Sequence, residues 1–222
     1  MSQPARRLLG LTGAPGVGKS TVARALVEAW SAAGRTGAAV GMDGFHLSGA
    51  ELADRGLADV KGAPETFDAD GFAALLRRLR AGGEDVPVPA FDREREQTVP
   101  AAYVVAASVE LVVVEGNYLL LDGPWRAARE LLDEVWFLDL PADLRLSRLI
   151  ARHQVHGRTA VDAERWVHRS DEANARLVVA SRHRADAVMD VASGRVTRGT
   201  AAPTDQGSGS GAAASTSSRP RA

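Results

Sequence analysis

Eight residues near the start of the 222-residue chain constrain it most: Gly13-Ala14-Pro15-Gly16-Val17-Gly18-Lys19-Ser20, followed by Thr21. They lie between a short apolar run, Leu8 to Leu11, and an amphipathic stretch, Thr21 to Trp30. A strand entering such a loop and a helix leaving it aim successive backbone amides, and the positive end of the helix, at one point. The glycines let the backbone approach oxygens that a Cβ would block. That geometry suits a polyphosphate, so Gly13, Ala14, Pro15, Gly16, Val17, Gly18, Lys19, Ser20 and Thr21 are the candidate nucleotide-binding residues. Lys19 would contact the β- and γ-phosphates, and the Ser20 hydroxyl would ligate Mg²⁺.

Short apolar runs alternate with amphipathic ones along the rest of the chain. Arg6 to Leu11, Ala38 to Met42, Leu111 to Val114, Val135 to Leu140 and Ala187 to Val191 read as buried strands that end in Gly or Asp. Lys19 to Ala32, Leu144 to Arg152 and Gly71 to Arg80 carry helical spacing, with Asp68 or Asp70 available to cap the last of these. This alternation predicts an α/β fold with a doubly wound parallel sheet, whose ligands gather at the carboxyl ends of the strands. Residues 1–191 suit one domain. Residues 192–222, rich in Gly, Ala, Ser and Thr, are expected to form a disordered tail.

Composition removes several alternatives. The 27 Lys and Arg against 28 Asp and Glu give a formal charge of -1, which supplies no strong basic field for nucleic acid or an anionic membrane. The absence of Cys excludes disulfides, thiolate metal sites and thiol nucleophiles. No signal peptide or membrane helix is legible at the N-terminus, so the expected location is cytoplasmic. Only Lys19 and Lys61 are lysines in a chain that otherwise uses arginine, which marks both as places needing a compact ammonium.

Two acids stand at strand ends. Glu115 follows Val112-Val113-Val114, where a nucleotide-binding protein needs a carboxylate for Mg²⁺ or a metal-bound water. Asp43 ends the second strand beside Gly44, a source of flexibility. It is the candidate general base for an acceptor hydroxyl, with an exchange of roles between Asp43 and Glu115 left open. His46 reads as an exposed or structural imidazole. The Asn-Lys-x-Asp guanine-reading motif is absent, as is a Leu-Ser-Gly-Gly signature, which turns the reading from a GTP switch or transporter ATPase toward a kinase.

The set Gly13 to Thr21, Asp43-Gly44-Phe45-His46, Lys61 to Asp68, Pro89-Ala90-Phe91-Asp92-Arg93 and Glu115-Gly116-Asn117-Tyr118 resembles the superfamily of phosphoribulokinase, uridine kinase and type I pantothenate kinase. The likeness runs from about Leu8 to Val191 and is strongest to a bacterial nucleoside/nucleotide kinase-like branch, some members of which are labelled fructose transport system kinases. It implies a sheet of the P-loop NTPase kinase type with a helical lid, and Asp43 as acceptor base. It places Lys61 near the acceptor, and Arg93 on a β-hairpin beside it. Arg152-His153-Gln154-Val155-His156-Gly157-Arg158 resembles the lid, with Arg152 and Arg158 as the preferred phosphate contacts and Arg148 as a further candidate. Here the chain departs from the uridine kinase pattern of Arg-Asp followed by Arg-Gly-Arg. Asn174, within a helical stretch from Ala160 to Ser181, reads as exposed or capping, and the four tryptophans read as packing residues.

The expected activity is therefore phosphoryl transfer from ATP, with Mg²⁺, to a hydroxyl of a sugar or polyol, a nucleoside or a pantothenate-like acid. A nucleotide-dependent regulatory ATPase acting on a protein partner is the alternative. The expected partner is a small-molecule hydroxyl acceptor, with neither nucleic acid nor membrane involved and a homodimer left open.

Overall fold

The computed structural model describes residues 6–155 and 157–198. Its elements in chain order are β1 (Arg7–Thr12), α1 (Lys19–Ala32), β2 (Gly37–Gly41), α2 (Gly49–Asp54), α3 (Ala69–Ala81), β3 (Val86–Asp92), β4 (Gln97–Val105), β5 (Leu111–Glu115), α4 (Arg126–Glu130) and β6 (Glu134–Asp139). After β6 come α5 (Ala142–Val155), α6 (Ala160–Trp166), a π turn (Val167–Asp171), α7 (Glu172–Ala180), β7 (Ala187–Asp190) and β8 (Val196–Arg198).

Six strands form one sheet in the order β2-β5-β1-β6-β7-β8, and every neighbouring pair is parallel except β7 with β8. Alternation along β5 explains the double layer. Val112 and Val114 join Leu8, Phe72 and Phe137 on one face, while Leu111 and Val113 join Leu11, Val17 and Leu138 on the other. Burial on both faces is why these strands read as continuous apolar runs. The register then sets the site. Leu11 and Gly41 both pair with Glu115, so the chain leaving β1, the chain leaving β2 and the acid ending β5 emerge side by side at one sheet edge.

The second sheet is the antiparallel pair β3–β4, irregular between Val88 and Ala90. Gly44 explains its placement. The turn after β2 lies so close to β3 that a Cβ on Gly44 would stand 2.4 Å from the Pro89 carbonyl oxygen. Its φ is not in the left-handed region, so this glycine serves close packing rather than the flexibility expected of it.

One further expectation needs correction. The tail does not begin at residue 192: Asp190 accepts from the amides of Ala192 and Ser193, and the turn returns the chain as β8 against β7. Backbone pairing, which needs no large apolar side chains, orders this piece. The rest of the expected tail, 199–222, and His156 lie outside the described residues. The expected helical stretch from Ala160 to Ser181 is helical from Ala160 to Ala180, with a π turn of wider i to i+5 geometry between α6 and α7. Asp68, rather than Asp70, caps α3 by accepting from the Gly71 amide at 2.9 Å.

At the opposite end of the sheet the buried Arg6 donates to the carbonyls of Leu79, Val109, Ala106 and Ala107. It ties the end of α3 and the β4–β5 turn to β1. Arg6→Ala strands these acceptors, so urea denaturation should show a loss of about 3 kcal/mol, with nucleotide affinity retained.

Candidate active site

The phosphate loop is held in shape by contacts that exclude side chains. Gly13, Gly16 and Gly18 have φ of 152°, 84° and 101°. A Cβ on Gly13 would lie 2.6 Å from the Leu138 carbonyl oxygen, and one on Gly16 would lie 2.7 Å from Leu149 Cγ and 2.8 Å from the Arg145 carbonyl oxygen. The loop is thus pressed between β6 and α5. The buried Arg145 guanidinium adds a clamp, donating to the Pro15 carbonyl at 3.1 Å and pairing with Glu172 at the start of α7. Sequence reasoning missed Arg145. The signal was its position four residues before Leu149, on the inward stripe of α5.

Lys19 opens α1 and folds over the loop, donating to the Gly13 carbonyl at 2.9 Å and the Ala14 carbonyl at 3.4 Å. Burial lowers its pKa to about 8, against the opposing pull of Glu115 and Asp43. The Ser20 hydroxyl donates to Glu115 Oε1 at 2.7 Å. Burial, and then repulsion from Asp43, push the Glu115 carboxyl above its ordinary range. A hydroxyl and a carboxylate in contact beside a phosphate loop are an oxygen donor pair of the kind Mg²⁺ takes, the rest of its shell being water and phosphate. The residues present therefore fit the ion.

Asp43 sits in the turn Met42–Phe45 after β2 and pairs with Arg93 from the β3–β4 turn. Lys61 donates to Glu96 Oε2 at 2.6 Å. His46 is held between the rings of Phe67 and Phe91, at centroid distances of 4.1 and 4.5 Å, and its Nδ1 lies 2.8 Å from the Asp43 carbonyl oxygen. Burial lowers its pKa, so the imidazole is neutral near pH 7. The expected lid residues lie on α5 and the turn after it. Burial, and then repulsion from Arg93, lower the Arg152 pKa. The Arg158 guanidinium stacks over Trp166 at 4.1 Å, which gives that tryptophan a place in the site as well as in the packing. His153 Nε2 meets Asp171 Oδ2 of the π turn at 2.8 Å.

Asn174 departs from its expected exposed or capping role. It is buried, and its Nδ2 donates to the Gly62 carbonyl at 3.2 Å, an oxygen that also accepts from the Tyr118 hydroxyl. α7 is thereby joined to the backbone next to Lys61. Sequence could not show this, because the partner is a backbone carbonyl more than a hundred residues away.

Lys19, Ser20, Thr21, Asp43, Lys61, Arg93, Glu115, Arg148, Arg152 and Arg158 all line one cleft of about 710 Å³, with Pro15, Gly16 and Gly18 at its phosphate end. A more open groove of about 1300 Å³ beyond His46 and Phe67 contains none of the phosphate-loop residues.

A phosphate loop at the carboxyl edge of a parallel sheet, facing an acid across a cleft beneath arginine-bearing helices, defines a P-loop kinase. The chain belongs to the phosphoribulokinase / uridine kinase family, whose sequence model it matches over residues 8–198. A solved structure from Silicibacter sp. TM1040, described as a "putative fructose transport system kinase", is 41% identical with a TM-score of 0.78, over 84% of this chain and 90% of that one. An ATP-dependent kinase-like protein of Aspergillus versicolor is 37% identical over 52% of this chain and 73% of its own length. A pantothenate kinase of Corynebacterium glutamicum is 30% identical over 62% of this chain but only 47% of its own. The protein is an ATP-dependent small-molecule kinase, a phosphotransferase with a hydroxyl acceptor. No helix among the described residues is long and apolar enough to cross a membrane.

Two predictions follow from the loop. Gly16→Ala, strained by its positive φ and by contact with α5, should abolish binding of a fluorescent ADP analogue while the purified protein keeps its far-ultraviolet circular dichroism. Phosphates favour the charged form of Lys19, so ADP binding without metal should take up a proton above pH 8. Its affinity should fall by up to about tenfold per pH unit as pH rises past 8, as read by calorimetry in buffers of different ionisation enthalpy.

Proposed function

We propose that the cleft binds ATP along Gly13 to Thr21 and transfers its terminal phosphoryl group to an acceptor hydroxyl held at Asp43. The observation that carries this reading is the arrangement of one cleft, with a phosphate loop at one end and a strand-end carboxylate flanked by cations at the other. Contact with Ser20 favours Glu115 as the acid on the metal side, and the pairing of Asp43 with Arg93 of the β3–β4 turn supports Asp43 as the base.

Loop amides and Lys19 would grip the phosphates, and Ser20 and Glu115 would hold Mg²⁺. The ion, when bound, would neutralise the β- and γ-oxygens. Asp43 accepts the proton of the acceptor hydroxyl as its oxygen bonds to the γ-phosphorus. The bond from that phosphorus to the bridging oxygen breaks, and ADP leaves. Arg93, paired with Asp43, orients the carboxylate. Lys61 and Arg93 line the acceptor end, and Arg152 and Arg158 face the transferring group from the lid side, where they offset its charge and exclude water. A regulatory ATPase would have no use for the acceptor-side ion pairs.

Asp43→Asn should lower acceptor-dependent ADP release by a factor of about 10² to 10⁴ with nucleotide affinity unchanged. Lys19→Ala serves as the blank. Equal turnover by wild type and Asp43→Asn would refute the assignment of the base.

A further inference from the structure

Two cations at the acceptor end, Arg93 and Lys61, are each matched to a carboxylate. Arg93 pairs with Asp43, and Lys61 pairs with Glu96, the last residue of the alternating charges Asp92-Arg93-Glu94-Arg95-Glu96. Arg93 and Glu96 stand at the two ends of the β3–β4 turn, so both ion pairs pin this turn across the mouth of the cleft. Glu96 has a φ of 53°, in the left-handed region that a non-glycine residue keeps only when its surroundings hold it there. The hydrogen bond from Lys61 lowers the Glu96 pKa, and Arg158, stacked on Trp166, acts on the same carboxylate. Glu96 is therefore an ionised group facing two cations.

This pairing bears on what can enter. A carboxylate or phosphate approaching Lys61 meets Glu96 beside it, and one approaching Arg93 meets Asp43. Repulsion from the acid offsets attraction to its partner. A neutral hydroxyl compound meets no such opposition, because one hydroxyl can donate to the carboxylate and accept from the ammonium of the same pair. His46, Phe67 and Phe91 line the same cleft, with Lys61 5.3 Å from the Phe91 ring centre, and give this end an apolar side against which the C–H groups of such a molecule can rest.

We propose that the acceptor is an uncharged polyhydroxyl compound and that Glu96 is the residue that excludes anionic ones. This rests on the reading of the cleft as a kinase site. Glu96 acts on charge selection rather than on the reacting atoms, so it is a specificity residue.

The test measures ADP release with Mg-ATP for pairs differing by one ionised group: glycerol and D-glycerate, fructose and fructose 6-phosphate, uridine and uridine monophosphate, pantothenol and pantothenate. Wild type should be stimulated by the neutral member of one pair, which identifies the acceptor as polyol, sugar, nucleoside or amide alcohol. The anionic member should have a kcat/KM at least about tenfold lower. Glu96→Gln should raise the anionic-to-neutral ratio of kcat/KM by about tenfold, through KM. Turnover of an anionic member alone by wild type, or an unchanged ratio in the variant, overturns the proposal. A second measurement needs no turnover: thermal stabilisation of the Mg-ADP-loaded protein by D-glycerate and by inorganic sulfate. Glu96→Gln should gain stabilisation that wild type lacks, and equal stabilisation overturns the proposal. If no compound stimulates wild type but this contrast holds, the acceptor reading of the cleft fails and charge selection by Glu96 stands. If a neutral compound is phosphorylated and the contrast is absent, the kinase reading stands and the role of Glu96 falls.

Discussion

The contact between Gly16 and α5 is the constraint on which the site depends. With no Cβ at residue 16, the phosphate loop can lie against Leu149 and the Arg145 carbonyl, and the Arg145 side chain then reaches back to Pro15 and across to Glu172. One close approach thus joins three elements: the loop that grips phosphate, the helix that bears Arg148 and Arg152, and the helix that begins after the π turn. A second link runs from α7 through Asn174 to the Gly62 carbonyl and so to Lys61. The phosphate end and the acceptor end are connected by packing and hydrogen bonds rather than by the sheet alone. The π turn ends immediately before these links, with Asp171 meeting His153 and Glu172 meeting Arg145.

The sheet and the phosphate loop were legible because their signals are local. Buried parallel strands read as apolar runs, and the loop needs its glycines and lysine at fixed offsets. The expected bounds of α1 match the observed ones, and Glu115 ends β5 as its position after three valines implies, whereas Asp43 lies two residues past β2 in the turn that follows it. What escaped was either long-range or made of backbone. The burial of Asn174 depends on a carbonyl on another loop, the clamp of Arg145 on the shape of the phosphate loop, and β8 on hydrogen bonding that small residues make as well as large ones. Glu96 escaped for another reason. In the run Asp92-Arg93-Glu94-Arg95-Glu96 every residue looks like part of a solvated charged face, yet Arg93 and Glu96, though exposed, pair with Asp43 and Lys61 from other segments of the chain. Only the turn geometry singles out these two.

The placement of Gly44 has a consequence for how such a molecule can diversify. It seats a two-stranded sheet against the turn that carries Asp43, while the nucleotide is served by the main sheet and its first crossover. Arg93 and Glu96, which the proposal puts at the acceptor, hang from a module with its own hydrogen-bond ladder. If the turn meets the acceptor as proposed, mutational drift there would retune which alcohol is accepted while the phosphate loop, held by β6 and α5, keeps its shape. A single inherited engine can in this way be fitted with many different chucks.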